Sequence, residues 1–559
     1  MPWKIAHYIL VIGLVWLPLI AINSYGDIAA TKHNLSVSGP GTITATEEDQ
    51  ICIFCHTPHH ASSVAPLWNR SLSNATYNLY GSSTLVAQPG QPTGTSRLCL
   101  SCHDGTISIG MFEGLTEPIP LTGGITTMTN GLSNLETDLS DDHPISFPYT
   151  SALASQRGEL KDPQNLPAEI SLEGGQMLQC TSCHDPHKDL HGKFLVMSNF
   201  NSALCIACHD KTGWANSTHA TDAATAEKGC QNCHQPHGAP GAQYLLQSAM
   251  EEGTCLTNCH NGIGDGINIK TPSEQFYNHP LNYATGVHDM TENPLTMSKH
   301  VECVDCHNPH QVNDQGAPLD FPPTVNGRLT AVKGISISGA VMDAANYEYE
   351  VCFGCHADNA FVSSFVVSRI IQETNERLRY DPDNPSFHPV AAIGKNINVP
   401  SLRPEYSEAS MIYCTDCHGS DSSARAGGTG SDGPHGSIYP HILMARYEQD
   451  THPLSYSVTN YALCFRCHDP DVLFAMDGSG TNFGSGSKSS HRTHVVIYGV
   501  PCSVCHDPHG VPVLRGATTA SNAHLINFDS RFVDPATASY DSIRKSCSVS
   551  CHNRNPKFY

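Results

Sequence analysis

Charged residues are scarce in this chain. Only 15% of its 559 residues are Asp, Glu, Lys or Arg, against roughly 25% in ordinary globular proteins. The 52 acidic side chains outnumber the 30 basic ones and leave a formal charge of −22, which argues against nucleic acid or anionic lipid as a partner. Long apolar runs are almost missing as well. The one present, ILVIGLVWLPLIAI at 9–22, follows Lys4 and His7 and precedes the small residues NSYG. It is too short and too near the start for a stable span, so residues 1–26 read as a secretory leader cleaved after Gly26, with an uncleaved anchor as the alternative. No membrane span is expected in the mature chain. Apolar residues make up 39% of the chain, while Gly and Pro number 45 and 37. Such a composition struggles to build one large side-chain core.

Cysteine is plentiful but absent outside a single pattern. The 24 cysteines form twelve pairs, and His follows the second member every time. Ten pairs read C-x-x-C-H: Cys52/Cys55/His56, Cys99/Cys102/His103, Cys180/Cys183/His184, Cys205/Cys208/His209, Cys230/Cys233/His234, Cys303/Cys306/His307, Cys352/Cys355/His356, Cys414/Cys417/His418, Cys464/Cys467/His468 and Cys502/Cys505/His506. Two read C-x-x-x-C-H: Cys255/Cys259/His260 and Cys547/Cys551/His552. An exported chain with an even cysteine count would ordinarily be stapled by disulfides. Neither disulfides nor zinc sites require His directly after the second Cys twelve times over. C-x-x-C-H is the attachment signature of c-type haem, in which two thiols become thioethers and the adjacent imidazole reaches the iron. The expectation is twelve haems c per chain, with no cysteine left for a disulfide or a lipid anchor.

The motifs are arranged as a duplication. The two longer motifs are the sixth and twelfth, NSALCIACHD at motif four matches NYALCFRCHD at motif ten, and GCQNCHQPHGAP at motif five matches PCSVCHDPHGVP at motif eleven. The division is residues 1–26 leader, 27–266 first hexahaem half and 267–559 second. The expected fold is a multihaem cytochrome c, mostly irregular coil with short helices and few strands around a haem-packed core. A helix is expected over 364–380, a hairpin strand over 327–339 and a Gly-rich loop over 424–437.

Histidine is in surplus at 33 residues. Five motifs continue into Pro-His, placing His59, His187, His237, His310 and His509 three residues past the motif histidine, too close to wrap around the same haem but able to reach a neighbouring one. Motif nine lacks the step, and a Pro-His seventeen residues on supplies His435 after a loop insertion. Six more histidines correspond between the halves: His33 with His279, His143 with His388, and His219 with His491. These twelve are the candidate distal ligands; His300, His452, His494 and His524 are competing spares. Two imidazoles per iron imply low potentials, because Met/His ligation is what raises a c-type potential, and leave no position for substrate.

On KHNLS, CIFCHTPH, LCLSCHDGT, HVECVDCHNPH, YEVCFGCHAD, CSVCHDPHG and HLINFD, the chain resembles the large multihaem c-type cytochromes of metal-respiring bacteria, some of which sit at the outer surface with a porin and some of which polymerise into extracellular nanowires. The resemblance implies bis-His ligation, closely stacked haems, redox partner proteins, an external electron acceptor, self-assembly or porin docking, and an extracellular or outer-surface location with the periplasm as alternative. The missing lipid-attachment Cys departs from the porin-clamped lipoproteins. The expected role is electron transfer, not catalysis. The alternative is a multihaem reductase for nitrite, hydroxylamine or a sulfur compound. It would need one open haem, often with Lys in place of the motif histidine, and no C-x-x-C-K is present.

Overall fold

The computed structural model describes residues 28–59, 61, 67–129, 131–264, 266–281, 288–314, 321–359, 367–449, 452–477, 480, 481, 483–485, 488–550, 557 and 558. The leader at 1–26 and the Cys551/His552 end of motif twelve lie outside them. The described chain is mostly coil carrying short helices and strands of two to four residues. Its longest helices, Gly94–His103 and Glu348–His356, each end on a motif histidine. Among the described residues no helix is long and apolar enough to cross a membrane. The chain divides into two compact units: 1–75, 92–136 and 167–199, holding motifs one to three, and 76–91, 137–166 and 200–559, holding the rest.

Apolar side chains gather in separate small clusters rather than one core. In the first unit Ala45, Phe54, Ile109, Phe112 and Leu121 pack together. In the second, Ile335, Tyr349, Phe353, Tyr380, Phe387 and Val390 form the largest group. Polar side chains hold the coil where no regular ladder can. The fully buried Arg70 donates to the carbonyls of Ile109 at 2.6 Å and Ser108 at 2.9 Å, satisfying backbone acceptors that burial would otherwise leave orphaned.

The helix expected over 364–380 is a correction. Of its described residues only Glu376–Arg379 is helical, started by Asn375. Upstream, Arg369 donates to the carbonyls of Ser503 and Asn527 at 2.6 and 2.8 Å, and Ile371 N–H donates to the Asn527 side chain at 3.0 Å. The N–H groups of Ile370 and Ile371, which a helix would have used, are spent on Phe528 O and the Asn527 side chain. The hairpin over 327–339 is found in shorter form, with Gly334–Ile335 antiparallel to Val341–Met342. The 424–437 loop ends in Gly436–Ser437, which pairs with Tyr277–Asn278.

A recurring joint ties four even motifs, the second, fourth, sixth and eighth, to the odd motif that follows. A side-chain oxygen three or four residues ahead of the even motif's first cysteine caps the opening turn of the odd motif. Ser96 accepts from Cys180 N–H at 3.0 Å, Ser202 from Cys230 N–H at 2.7 Å, Glu251 from Val304 N–H at 3.0 Å and Glu348 from Thr415 N–H at 3.0 Å. At these joints the first cysteines meet as Cys99/Cys180, Cys205/Cys230, Cys255/Cys303 and Cys352/Cys414, and Cys464 meets Cys502 in the same way without such a cap among the described residues.

Candidate functional site

Each C-x-x-C-H segment closes a single turn in which the histidine N–H returns to the carbonyl of the first cysteine. The bond is 2.8 Å at His56, 3.0 Å at His184 and 2.9 Å at His506. That turn brings both sulfurs and the imidazole together, as a covalently held haem requires. Every described cysteine is unbridged.

The second cysteines are placed differently from the first. Cys183, Cys259 and Cys505, expected to carry haem beside Cys180, Cys255 and Cys502, belong to none of the five first-cysteine contacts, and all three are half-buried. Cys183 is held through its backbone: its N–H donates to Cys180 O at 3.1 Å and its carbonyl accepts from Val196 N–H at 3.0 Å. Cys505 is held likewise, its carbonyl accepting from Asn527 N–H at 2.9 Å while its side chain packs against the cluster of Val504, Ile526 and Phe528. Cys259 follows the longer spacer of motif six. There His260 N–H still returns to Cys255 O, at 3.1 Å, so the extra residue is absorbed inside the turn. Cys259 is near enough to Cys233 of motif five to help raise that thiol's pKa, behind burial as the larger cause.

The other ring nitrogen of the motif histidine is also held. Nδ1 donates to a backbone carbonyl at His103 (Ser133, 2.6 Å), His184 (Lys193, 2.9 Å), His234 (Tyr244, 2.8 Å), His260 (Ile267, 2.9 Å), His307 (Arg328, 2.9 Å), His418 (His441, 2.8 Å) and His506 (His524, 3.0 Å). Such a bond fixes ring orientation and leaves Nε2 for the metal. Four acceptors sit in left-handed backbone, followed by a second left-handed residue: Lys193/Phe194, Tyr244/Leu245, His441/Ile442 and His524/Leu525. A non-glycine residue pays about 1–2 kcal/mol for that conformation, and here it aims a carbonyl at the ring. Lys193 is exposed, so its backbone can be tested alone. Lys193→Gly should hold or raise stability, and the β-branched Lys193→Val should lose about 1–3 kcal/mol in chemical denaturation. Equal behaviour of the two would remove the strain argument.

The structure brings nine motif histidines opposite a second histidine, with ring centroids 5.9–6.3 Å apart. The pairs are His103 with His33, His56 with His187, His209 with His143, His260 with His219, His234 with His310, His356 with His279, His307 with His435, His418 with His509 and His506 with His491. Metal–imidazole bonds of about 2 Å put trans nitrogens about 4 Å apart and centroids about 6 Å apart. The separations therefore fit an iron between each pair. Burial lowers the pKa of many of these rings, to about 4 at His209, His279, His418 and His506 and about 3 at His310, His435 and His491. That keeps them neutral, the form that binds metal.

Pairing repeats between the sequence halves. His33/His103 corresponds to His279/His356, and His56/His187 to His307/His435. The insertion in motif nine folds back on itself, since Ser420 N–H donates to Gly433 O at 3.0 Å. It thereby returns Pro434-His435 to the place that Pro-His occupies elsewhere. His388 is close enough to His468 to depress its pKa, though burial is the larger cause. His59, His184 and His237 are in none of the nine pairs, and the His552 site falls outside the described residues.

The role of the prolines was not legible in the sequence. Pro186, Pro309, Pro434 and Pro508 turn their carbonyls to the rings of His33, His219, His279 and His388. One Pro-His step thus supplies a ring facing one motif and orients the ring facing another. His143 uses Pro144 O at 3.0 Å for its ring, and its backbone N–H donates to Pro236 O at 2.9 Å. Two Pro-His rings meet carboxylates instead: His237 Nδ1 lies 2.9 Å from Asp142 and His509 Nδ1 2.8 Å from Glu376. Burial opposes ionisation of Glu376, but Arg379 and then His509 outweigh it and hold the carboxyl at about 2.

The spare histidines make contacts of their own. His524 lends its carbonyl to His506, His494 Nδ1 donates to Ser490 O at 2.7 Å, and the His452 ring lies edge-on to Phe532 at 5.1 Å. His300 belongs to a carboxylate cluster described below.

Residues 173–213, spanning motifs three and four, match the family model described as a doubled CXXCH motif. No curated protein matches the chain. The doubled motif and its repetition along the chain indicate covalently bound haem c and support a multihaem c-type cytochrome in electron transfer.

Proposed function

We propose that the chain is a dodecahaem electron conduit working outside the cytoplasm, passing electrons along bis-His, low-potential haems to an external acceptor, and that copies join head to tail into filaments. The observation that carries the conduit is the set of nine histidine pairs spaced for six-coordinate iron. An iron with both axial positions filled moves electrons and binds no substrate. Ring planes run from near-parallel, 5° at His234/His310 and 15° at His491/His506, through 46° at His279/His356 and His418/His509, to crossed, 81° at His143/His209 and 65° at His219/His260. Ferric low-spin EPR should therefore contain both a rhombic signal and a highly anisotropic one. A spectrum with high-spin haem in stoichiometric amount would favour the reductase reading.

Filament assembly rests on the junction between sequence halves. There His310, from the first motif of the second half, faces His234 of motif five, and Pro309 orients His219 opposite His260. The same junction one repeat later takes a first-motif Pro-His opposite motif eleven, which a second copy would supply as Pro58-His59. His59 is exposed, and among the described residues its ring has no hydrogen bond, ion pair or ring contact. His491, the counterpart of His219, has Thr481 Oγ1 at 3.0 Å where His219 has a proline carbonyl. Electron microscopy of the native protein tests this. Filaments with haem density continuous across subunits are expected; discrete particles at every concentration would leave a monomeric conduit.

A further inference from the structure

Two histidines and three carboxylates are gathered at motif seven. His288 Nδ1 lies 3.2 Å from Glu292, 3.3 Å from Glu302 and 3.5 Å from Asp305. His300 Nε2 lies 2.9 Å from the same Glu292 oxygen and 3.9 Å from Asp305. Four ligands at about 2.0–2.1 Å around a tetrahedral ion stand about 3.3 Å from one another, and these separations bracket that edge. His288 and Glu302 are only 8% and 5% exposed, yet His288 Nδ1 and Glu302 Oε2 have no hydrogen-bond partner. The two face each other at 3.3 Å without hydrogen-bond geometry, whereas buried polar atoms are normally hydrogen-bonded, and an ion between them would satisfy both.

The individual atoms are oriented for an ion. His300 Nδ1 donates to Ser298 O at 2.7 Å, which turns Nε2 toward two carboxylates, with Glu292 at 2.9 Å. Asp305 spends one oxygen on Glu302 N–H at 2.7 Å and faces the imidazoles with the other. Glu251 and Glu252 lie alongside, and burial followed by the charge of Glu252 lifts Glu251 to about 8. Lys333 is turned to the carbonyls of Met290 and Glu292 at 2.7 and 2.8 Å. Negative charge is therefore collected around two imidazoles, and a divalent cation would offset it.

We propose that His288, His300, Glu292 and Asp305, with Glu302 beside them, bind one non-haem divalent transition metal of the zinc class. Two nitrogen donors set it apart from calcium and magnesium sites, which take oxygen. Asp305 lies between Cys303 and Cys306, so the ion's charge is next to the haem attached there and raises that haem's reduction potential. The ion would stand where the sixth and seventh motifs touch through Cys255 and Cys303.

The test uses the full-length holocytochrome. After chelator treatment it is incubated with zinc chloride, desalted, and analysed for zinc against haem iron by plasma mass spectrometry. About one tightly held zinc per chain is expected, falling at least tenfold in a His288→Ala, His300→Ala double variant and unchanged in His191→Ala on the exposed surface. If the double variant assembles without its full haem content, Glu292→Gln is the milder substitute, with the same loss expected. Retention of zinc by either variant, or no zinc retained by the wild-type protein together with no first-row metal beyond haem iron in the native protein, would overturn the site and leave imidazoles paired directly with carboxylates. Zinc should also shift one haem upward in spectroelectrochemical titration; bound zinc with no shift would overturn the influence on potential.

Discussion

In assembled filaments His435→Ala should take up about one carbon monoxide per chain when reduced, where the wild-type filaments take up almost none. His435 faces His307 with ring centroids 6.2 Å apart and a 24° angle between planes. Burial and then His307 hold its pKa at about 3, so it stands neutral and ready to bind iron. Alanine removes the donor and leaves the backbone that carries Pro434, whose carbonyl orients His279. The haem of motif seven would then have one open axial position, and ferrous haem with an open position binds carbon monoxide. His435→Met should instead keep the site closed and raise that potential, following the general effect of Met/His ligation. Haem content measured alongside separates a lost ligand from a lost haem. An alanine variant with all its haem and no carbon monoxide uptake would show that His435 is not a ligand. Uptake by the wild-type filaments would instead reveal an open haem and revive the reductase alternative.

Covalent chemistry was the legible part of this chain, and through-space chemistry was not. Cysteine spacing announced haem because attachment is local: two thiols and an imidazole must lie within one turn. Distal histidines could be nominated because the halves duplicate and because Pro-His recurs, yet nothing local says which motif each one faces. His187 turns back to motif one and His310 to motif five, over separations that only the fold sets. The left-handed pairs that aim carbonyls at His184, His234, His418 and His506 carry ordinary residues such as Lys193 and Tyr244, without the glycine that usually advertises positive φ. The helix expected over 364–380 failed for a related reason. Apolar periodicity reports which side chains avoid water, and there Arg369 and Ile371 found partners more than a hundred residues away. His300, read as a spare haem ligand, lies against carboxylates from nearby turns.

His59→Ala should convert filaments into discrete particles while leaving the isolated chain's spectrum nearly intact. The expectation comes from treating the chain's own midpoint as the template for its contact with the next copy. At the midpoint, Thr218 N–H donates to Val312 O at 2.8 Å and Asp314 N–H to Thr218 Oγ1 at 3.0 Å, so the segment after a Pro-His step docks beside the distal histidine it helps to orient. In a filament, His59 of one copy would take the place opposite His506 of another, and His491 would move on to motif twelve, as His219 serves motif six. In the lone chain His491 faces His506 itself, which keeps that iron closed before assembly. Ligand exchange of this kind makes assembly visible without microscopy. The interplanar angle at motif eleven should change from the 15° of the lone chain, and the corresponding low-spin EPR signal should shift on polymerisation. Head-to-tail contacts that do not close generate open filaments, so losing one ligand per junction should act on every junction at once. If His59→Ala still forms wild-type filaments, the copies meet through another surface, and His59 belongs to a haem within its own chain.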